Sequence, residues 1–75
     1  MIYCVRFSEV AGTLRQRGYV EVDRSDIAVV FENNSAHRVS IHPQNRDGHL
    51  PEILVNDAFD AAGLEPPAWD VFWCD

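Results

Sequence analysis

The run Ile27–Glu32 (IAVVFE) constrains this chain more than any other segment. Five apolar residues follow one another there, three of them β-branched. That pattern predicts a central strand, the most buried of the sheet. The runs on either side alternate as strands do. Tyr19–Asp23 is expected to point Val20 and Val22 inward. His37–His42 is expected to point Val39 and Ile41 inward, with Arg38 and Ser40 outward. Arg24-Ser25-Asp26 and Asn33-Asn34-Ser35 supply the turns, since Asn tolerates positive φ. The three runs predict an antiparallel meander.

Helical spacing appears on both sides of it. Val10, Ala11 and Leu14 share a face of Glu9–Arg17, with Ser8 placed to cap the first turn and Gly18 to end the helix. Pro51 suits the first turn of a second helix running to about Ala62 and stopping at Gly63. Its apolar stripe is Leu54, Val55, Ala58, Phe59 and Ala62. Met1–Phe7 is β-prone, and Trp69, Val71 and Trp73 alternate in the tail, which predicts a last strand beside the first. The expected fold is a small two-layer α+β sandwich in the order β-α-β-β-β-α-(β). Its three-stranded meander is open to extension by terminal strands and carries two helices on one face. At 75 residues, with 47% hydrophobic content, this is one domain spanning 1–75.

Charge is divided unevenly along the chain. Residues 1–46 hold six arginines against five acids. Residues 47–75 hold seven acids and no lysine or arginine, within a net charge of −6 for the whole. Such a balance argues against direct nucleic-acid binding, which needs cations to displace counterions from phosphate. It points instead to a basic partner surface, captured by a directed negative field. The carboxylates expected to carry this are Glu52, Asp57 and Asp60 on the second helix, with Asp47, Glu65 and Asp70 around them. Glu52, Asp57 and Asp60 offer a row of charge with a spacing similar to that of DNA phosphates, since residues four apart on a helix lie about 6 Å apart. Trp69 and Trp73 are candidate anchors for the same partner, because Trp is enriched at binding hot spots; the alternative places these aromatics in the core.

Other chemistry has weaker support. His37, His42 and His49 are spaced by five and seven residues, which fits no zinc signature, so neither metal nor cofactor is expected. Cys4 and Cys74 read as reduced thiols, with a single bridge tying the two ends as the alternative. Arg15, Arg17 and Arg24 are expected to pair with Glu21, Asp23 and Asp26, with contact to RNA phosphate as the alternative. No apolar run reaches the roughly 18 residues of a membrane span and no leader pattern opens the chain, so a cytoplasmic monomer is expected.

Residues 8–64 resemble the HicA-type toxins, small mRNA interferases with a double-stranded-RNA-binding-like fold. The similar features are the helix ending Arg17-Gly18-Tyr19, three short strands, and HRVSIHP followed by a helix ending Ala62-Gly63-Leu64. Residues 65–75 form an aromatic and acidic tail outside that core. The resemblance implies a catalytic histidine entering the second strand, after a serine. Here Arg24-Ser25-Asp26 occupies that stretch, so Asp26 stands where the histidine is needed, and His42 matches a histidine after the third strand. An exposed aspartate is ionised far below pH 7 and is a poor general acid there. The chain also resembles, in size, acidity and compact α/β pattern, the small anti-CRISPR proteins of phages, in particular those directed at type I effectors. This second likeness implies a non-enzymatic inhibitor that presents carboxylates as a DNA mimic to an effector subunit, type I-C in particular. The HicA-type ribonuclease, or an inactive relative held by an antitoxin, is the alternative.

Overall fold

The computed structural model of the chain describes residues 2–42 and 48–74. Eight elements follow one another: β1 (Ile2–Arg6), α1 (Phe7–Gln16), β2 (Val20–Arg24), β3 (Val29–Glu32), β4 (Arg38–Ile41), β5 (His49–Pro51), α2 (Glu52–Ala61) and β6 (Phe72–Cys74). They build an α+β fold of two helices and two antiparallel three-stranded sheets, ordered β2-β3-β4 and β5-β1-β6.

The first sheet is the expected meander with β3 at its centre, but β3 begins at Val29 and not at Ile27, which is 75% exposed in the turn before it. Phe31 pairs with Val39 and Val29 with Ile41, and all four side chains are buried. The second sheet departs from expectation. The terminal strands do not extend the meander; β1 pairs with β6 and also with β5, which the sequence pattern does not announce. Three residues are too few to show a period. Pro51 is tolerated because β5 is an edge strand, where a missing amide costs no ladder bond.

β2 also differs from its predicted facing. Tyr19 is buried, whereas Val20 and Val22 are 59% and 49% exposed. The reason is register. Val20 lies opposite Glu32 on the outer face, and a bulge between Glu21 and Asp23 leaves Val22 without its own partner. The core side of β2 is then occupied by Glu21, opposite Phe31, and Arg24, opposite Val29. Arg24 spreads its guanidinium over the Phe7 ring at 5.6 Å and covers apolar surface with a charged residue.

α1 begins earlier than its capping residue suggests. Ser8 lies inside the helix and caps nothing; the Phe7 amide donates instead to the Gly48 carbonyl at 2.9 Å. Gly18 and Gly63, at φ 88° and 72°, end the two helices in the left-handed conformation that glycine adopts without strain. In α2 the buried positions are Val55 and Phe59, while Leu54 remains 47% exposed. α2 packs against β1 and β5 of one sheet and β4 of the other. One buried cluster, with Phe31, Phe59, Leu14, Val5 and Val10 at its heart, therefore unites both sheets.

Candidate functional site

The second half of the described chain keeps its one-signed charge in three dimensions. Asp57, Asp60, Glu65 and Asp70 are exposed and Glu52 is half-buried, with no lysine or arginine between residues 48 and 74. At about 100° per residue, Asp57 and Asp60 stand about 60° apart on the solvent face of α2. Glu52 stands about 140° from Asp57, so the three do not form one straight row. Asp57 and Asp60 make the exposed pair; Glu52 sits at the helix start, turned towards the core edge. Asp47 lies outside the described residues.

The position of these acids on the helix is informative. An acid in the first turn, as with Glu52, is favoured by the helix dipole; acids towards the C-terminal end are not. α2 carries no basic residue in its last turn to offset Asp60. The negative charge there is thus held against the preference of the helix.

The arginines are differently placed. Arg24 reaches Glu21 through two hydrogen bonds of 3.0 and 2.8 Å, and Arg38 reaches Glu32 at 2.7 Å. The first pair holds the Glu21 carboxyl below its ordinary value, chiefly through the hydrogen bond from Arg24, and raises Arg24 in turn. Arg6 lies 3.9 Å from Asp70, both side chains being largely exposed, so this contact is weak. Among the described residues Glu52, Asp57, Asp60 and Glu65 form no ion pair. Two ion pairs, Arg24–Glu21 and Arg38–Glu32, lie within the first half, and among the described residues none lies within the second. Of the pairs expected from sequence, Arg24 with Glu21 is present; Arg15, Arg17, Asp23 and Asp26 have no ion pair among the described residues.

The two tryptophans of the tail separate. Trp69 is a core residue, 8% exposed, with its indole N–H donating to Asn56 Oδ1 at 2.8 Å and its ring edge-on to Phe59 at 5.3 Å. It is therefore not available as an interface anchor in this fold. Its burial fixes the tail against α2, which in turn places Asp70, whose backbone amide donates to Glu9 Oε2 at 3.1 Å. Trp73 is 46% exposed and packs edge-on against Tyr3 at 4.8 Å, itself 53% exposed. These two make an exposed aromatic pair at the start of β1. Tyr3 is the member that sequence reasoning missed; only the β1–β6 register, with Tyr3 opposite Trp73, reveals it.

Cys4 and Cys74 form a disulfide, with Cα atoms 5.8 Å apart across a separation of 70 residues. This replaces the expectation of reduced thiols. The two lie diagonally across the β1–β6 pair, Cys4 opposite Phe72 and Cys74 opposite Ile2.

The residues that the toxin resemblance singles out adopt local structural roles. Ser25 Oγ accepts from the amide of Ala28 at 3.2 Å and shapes the turn before β3. His42 Nδ1 lies 3.3 Å from the carbonyl of Ile27, which brings it beside that turn. Asp26 is exposed on the same turn.

A cleft of about 260 Å³ opens between β4 and α2, lined mainly by Ile41, Leu50, Leu54, Val55 and Ala58, with Ser40 and His42 at its polar side. Among the described residues no group of three or more His, Cys, Asp or Glu side chains is placed to hold a metal ion. No helix among them is long and apolar enough to cross a membrane. No family model, curated protein or solved structure matches the chain.

Proposed function

We propose that the protein is a non-enzymatic acidic binding protein that occupies a basic, nucleic-acid-binding surface of a partner by presenting carboxylates in place of phosphates. The observation that carries this reading is the one-signed charge of Asp57, Asp60, Glu65 and Glu52, which form no ion pair among the described residues and have no lysine or arginine between residues 48 and 74. Asp57 and Asp60 form its centre and Asp70 its flank, with Trp73 and Tyr3 as an aromatic contact. A field of this kind speeds capture of a cationic surface and fades with salt. The partner we favour is a subunit of a type I CRISPR effector, type I-C in particular, and the protein is then an anti-CRISPR inhibitor of the host cytosol. We also read the two helices as a single layer over the sheets, since the buried stripes of both enter one cluster. In this arrangement α2 shows its acidic face outward.

The test is competition. Purified protein added to a type I-C effector complex should displace its target DNA while binding no DNA itself. DNA retained at saturating protein, with no co-elution of the two on gel filtration, would reject the reading. The ribonuclease alternative has one observation in its favour, the approach of His42 to the turn bearing Ser25 and Asp26. Cleavage of RNA by the purified protein, abolished by His42→Ala, would establish it instead.

A further inference from the structure

The disulfide and the buried tryptophan divide the tail into two parts held by different means. Up to Val71 the tail is fixed without the bridge. The Leu64 amide donates to the Phe59 carbonyl at 2.8 Å, Trp69 is buried against Phe59 and bonded to Asn56, and Val71 packs on the core. Beyond Val71 the described residues are those of β6. It is three residues long, lies at a sheet edge, and pairs with β1 alone. Its side-chain contacts among the described residues include the half-exposed Tyr3–Trp73 pair and the Phe72 ring, touched by the Arg6 guanidinium at 4.6 Å and by His49 at 4.7 Å. So short an edge strand offers few ladder bonds against the chain entropy of ordering it.

We propose that the Cys4–Cys74 bridge is a redox latch on β6, with Trp69 as the fixed point from which the strand opens. The step needs a small-molecule thiol as reductant. Cys4 is 2% exposed, so the reachable sulfur is that of the half-buried Cys74. A thiolate attacks Cys74 Sγ, forming a mixed disulfide and releasing the Cys4 thiolate, which takes up a proton. A second thiolate attacks the sulfur of the reductant in that mixed disulfide and frees the Cys74 thiolate, which is protonated in turn. Two electrons pass to the protein and one disulfide of the reductant is formed. Without the bridge, Phe72–Cys74 leaves the edge of β1, Trp73 parts from Tyr3, and the backbone of Ile2–Cys4 is uncovered on that side. The inference does not depend on the acidic-surface reading, although Trp73 belongs to both.

The two tryptophans lie on opposite sides of the opening point and report it in the wild-type protein. In a 15N–1H spectrum of the wild-type protein, the two indole N–H signals are assigned with Trp73→Phe and followed as reduced glutathione is added. The expected result has three parts. The Trp73 indole and the amides of Phe72–Cys74 move to unfolded-chain positions and lose protection from exchange. The Trp69 indole and the amides of Phe31 and Val39 stay in place. Oxidation by glutathione disulfide restores the first spectrum. Protected β6 amides in the reduced protein would overturn the latch, as would collapse of every signal together, which would make the bridge a support of the whole fold. A bridge untouched by glutathione would overturn it as well.

Discussion

The two sheets of this molecule have three strands each and are made in opposite ways. The meander β2-β3-β4 takes three successive runs of chain and is centred on the buried Phe31. The sheet β5-β1-β6 gathers the first strand, the last strand and a three-residue segment before α2, and is closed by a covalent bond. The meander depends on local pairing and burial; the terminal sheet depends on a cross-link and on α2, which touches both. The difference shows that closeness in sequence and closeness to the core are separate supports, and that β6 has neither beyond its bridge.

The sharpest way to break this contrast is at Phe31. Phe31→Ala removes a fully buried ring from the strand that organises the core, and about 3–5 kcal/mol is the expected cost. That approaches the entire stability of a marginal domain. Denaturant unfolding should show a large loss; an unchanged midpoint would mean that the meander does not organise the core.

The second way acts on the terminal sheet. Cys74→Ser removes a closed loop of about 70 residues, and the chain-entropy model gives about 4 kcal/mol of lost stability. Unlike Phe31→Ala, it should leave the near-ultraviolet signal of the core intact below the melting transition. A third change sits between the sheets. Asn56→Ala orphans the buried indole N–H of Trp69 and should cost about 1–3 kcal/mol. Thermal unfolding of this variant beside Trp69→Phe checks it. A double variant no worse than the worse single one confirms that the two residues act as a pair.

The centre and last strand of the meander were legible, from Val29–Phe31 and from the alternation of Val39 and Ile41, but Ile27 at the head of the apolar run is 75% exposed and lies in the turn before β3. The facing of β2 was not, because Val20 and Val22 mimic an inward alternation that Tyr19 and the bulge reverse. The tail does pair with the first strand as expected, but the strand is only Phe72–Cys74, so Trp69 and Val71 of the expected alternation lie outside it. Trp69 and Trp73 look equivalent in sequence, yet Trp69 sits in the core against Phe59 and is bonded to Asn56, 13 residues before it. β5 was invisible, being three residues that end in proline. The acidic character of the second half was plain from composition alone. What composition could not give was the helical phase, which brings Asp57 and Asp60 together and turns Glu52 aside.

The smallest expected effect has an informative sign. Asp60 opposes the dipole of α2 near its C-terminal end, so Asp60→Lys should stabilise the fold by about 0.3–1 kcal/mol. A rise in melting temperature at low ionic strength, diminished by salt, is the expected outcome. A fall would mean that the carboxylate supports the fold.

The central claim is that the second half of the molecule holds charge for a partner and not for itself. It is tested most directly by reversing Glu52, Asp57 and Asp60 to lysine together and measuring affinity for the type I-C effector by titration calorimetry across a range of salt. The account predicts a folded protein that no longer binds, beside a wild type whose affinity falls steeply as salt rises. A triple variant that folds and binds as tightly as wild type, with no dependence on salt, would contradict it. The interface would then lie elsewhere, with the exposed pair of Tyr3 and Trp73 as the first place to look.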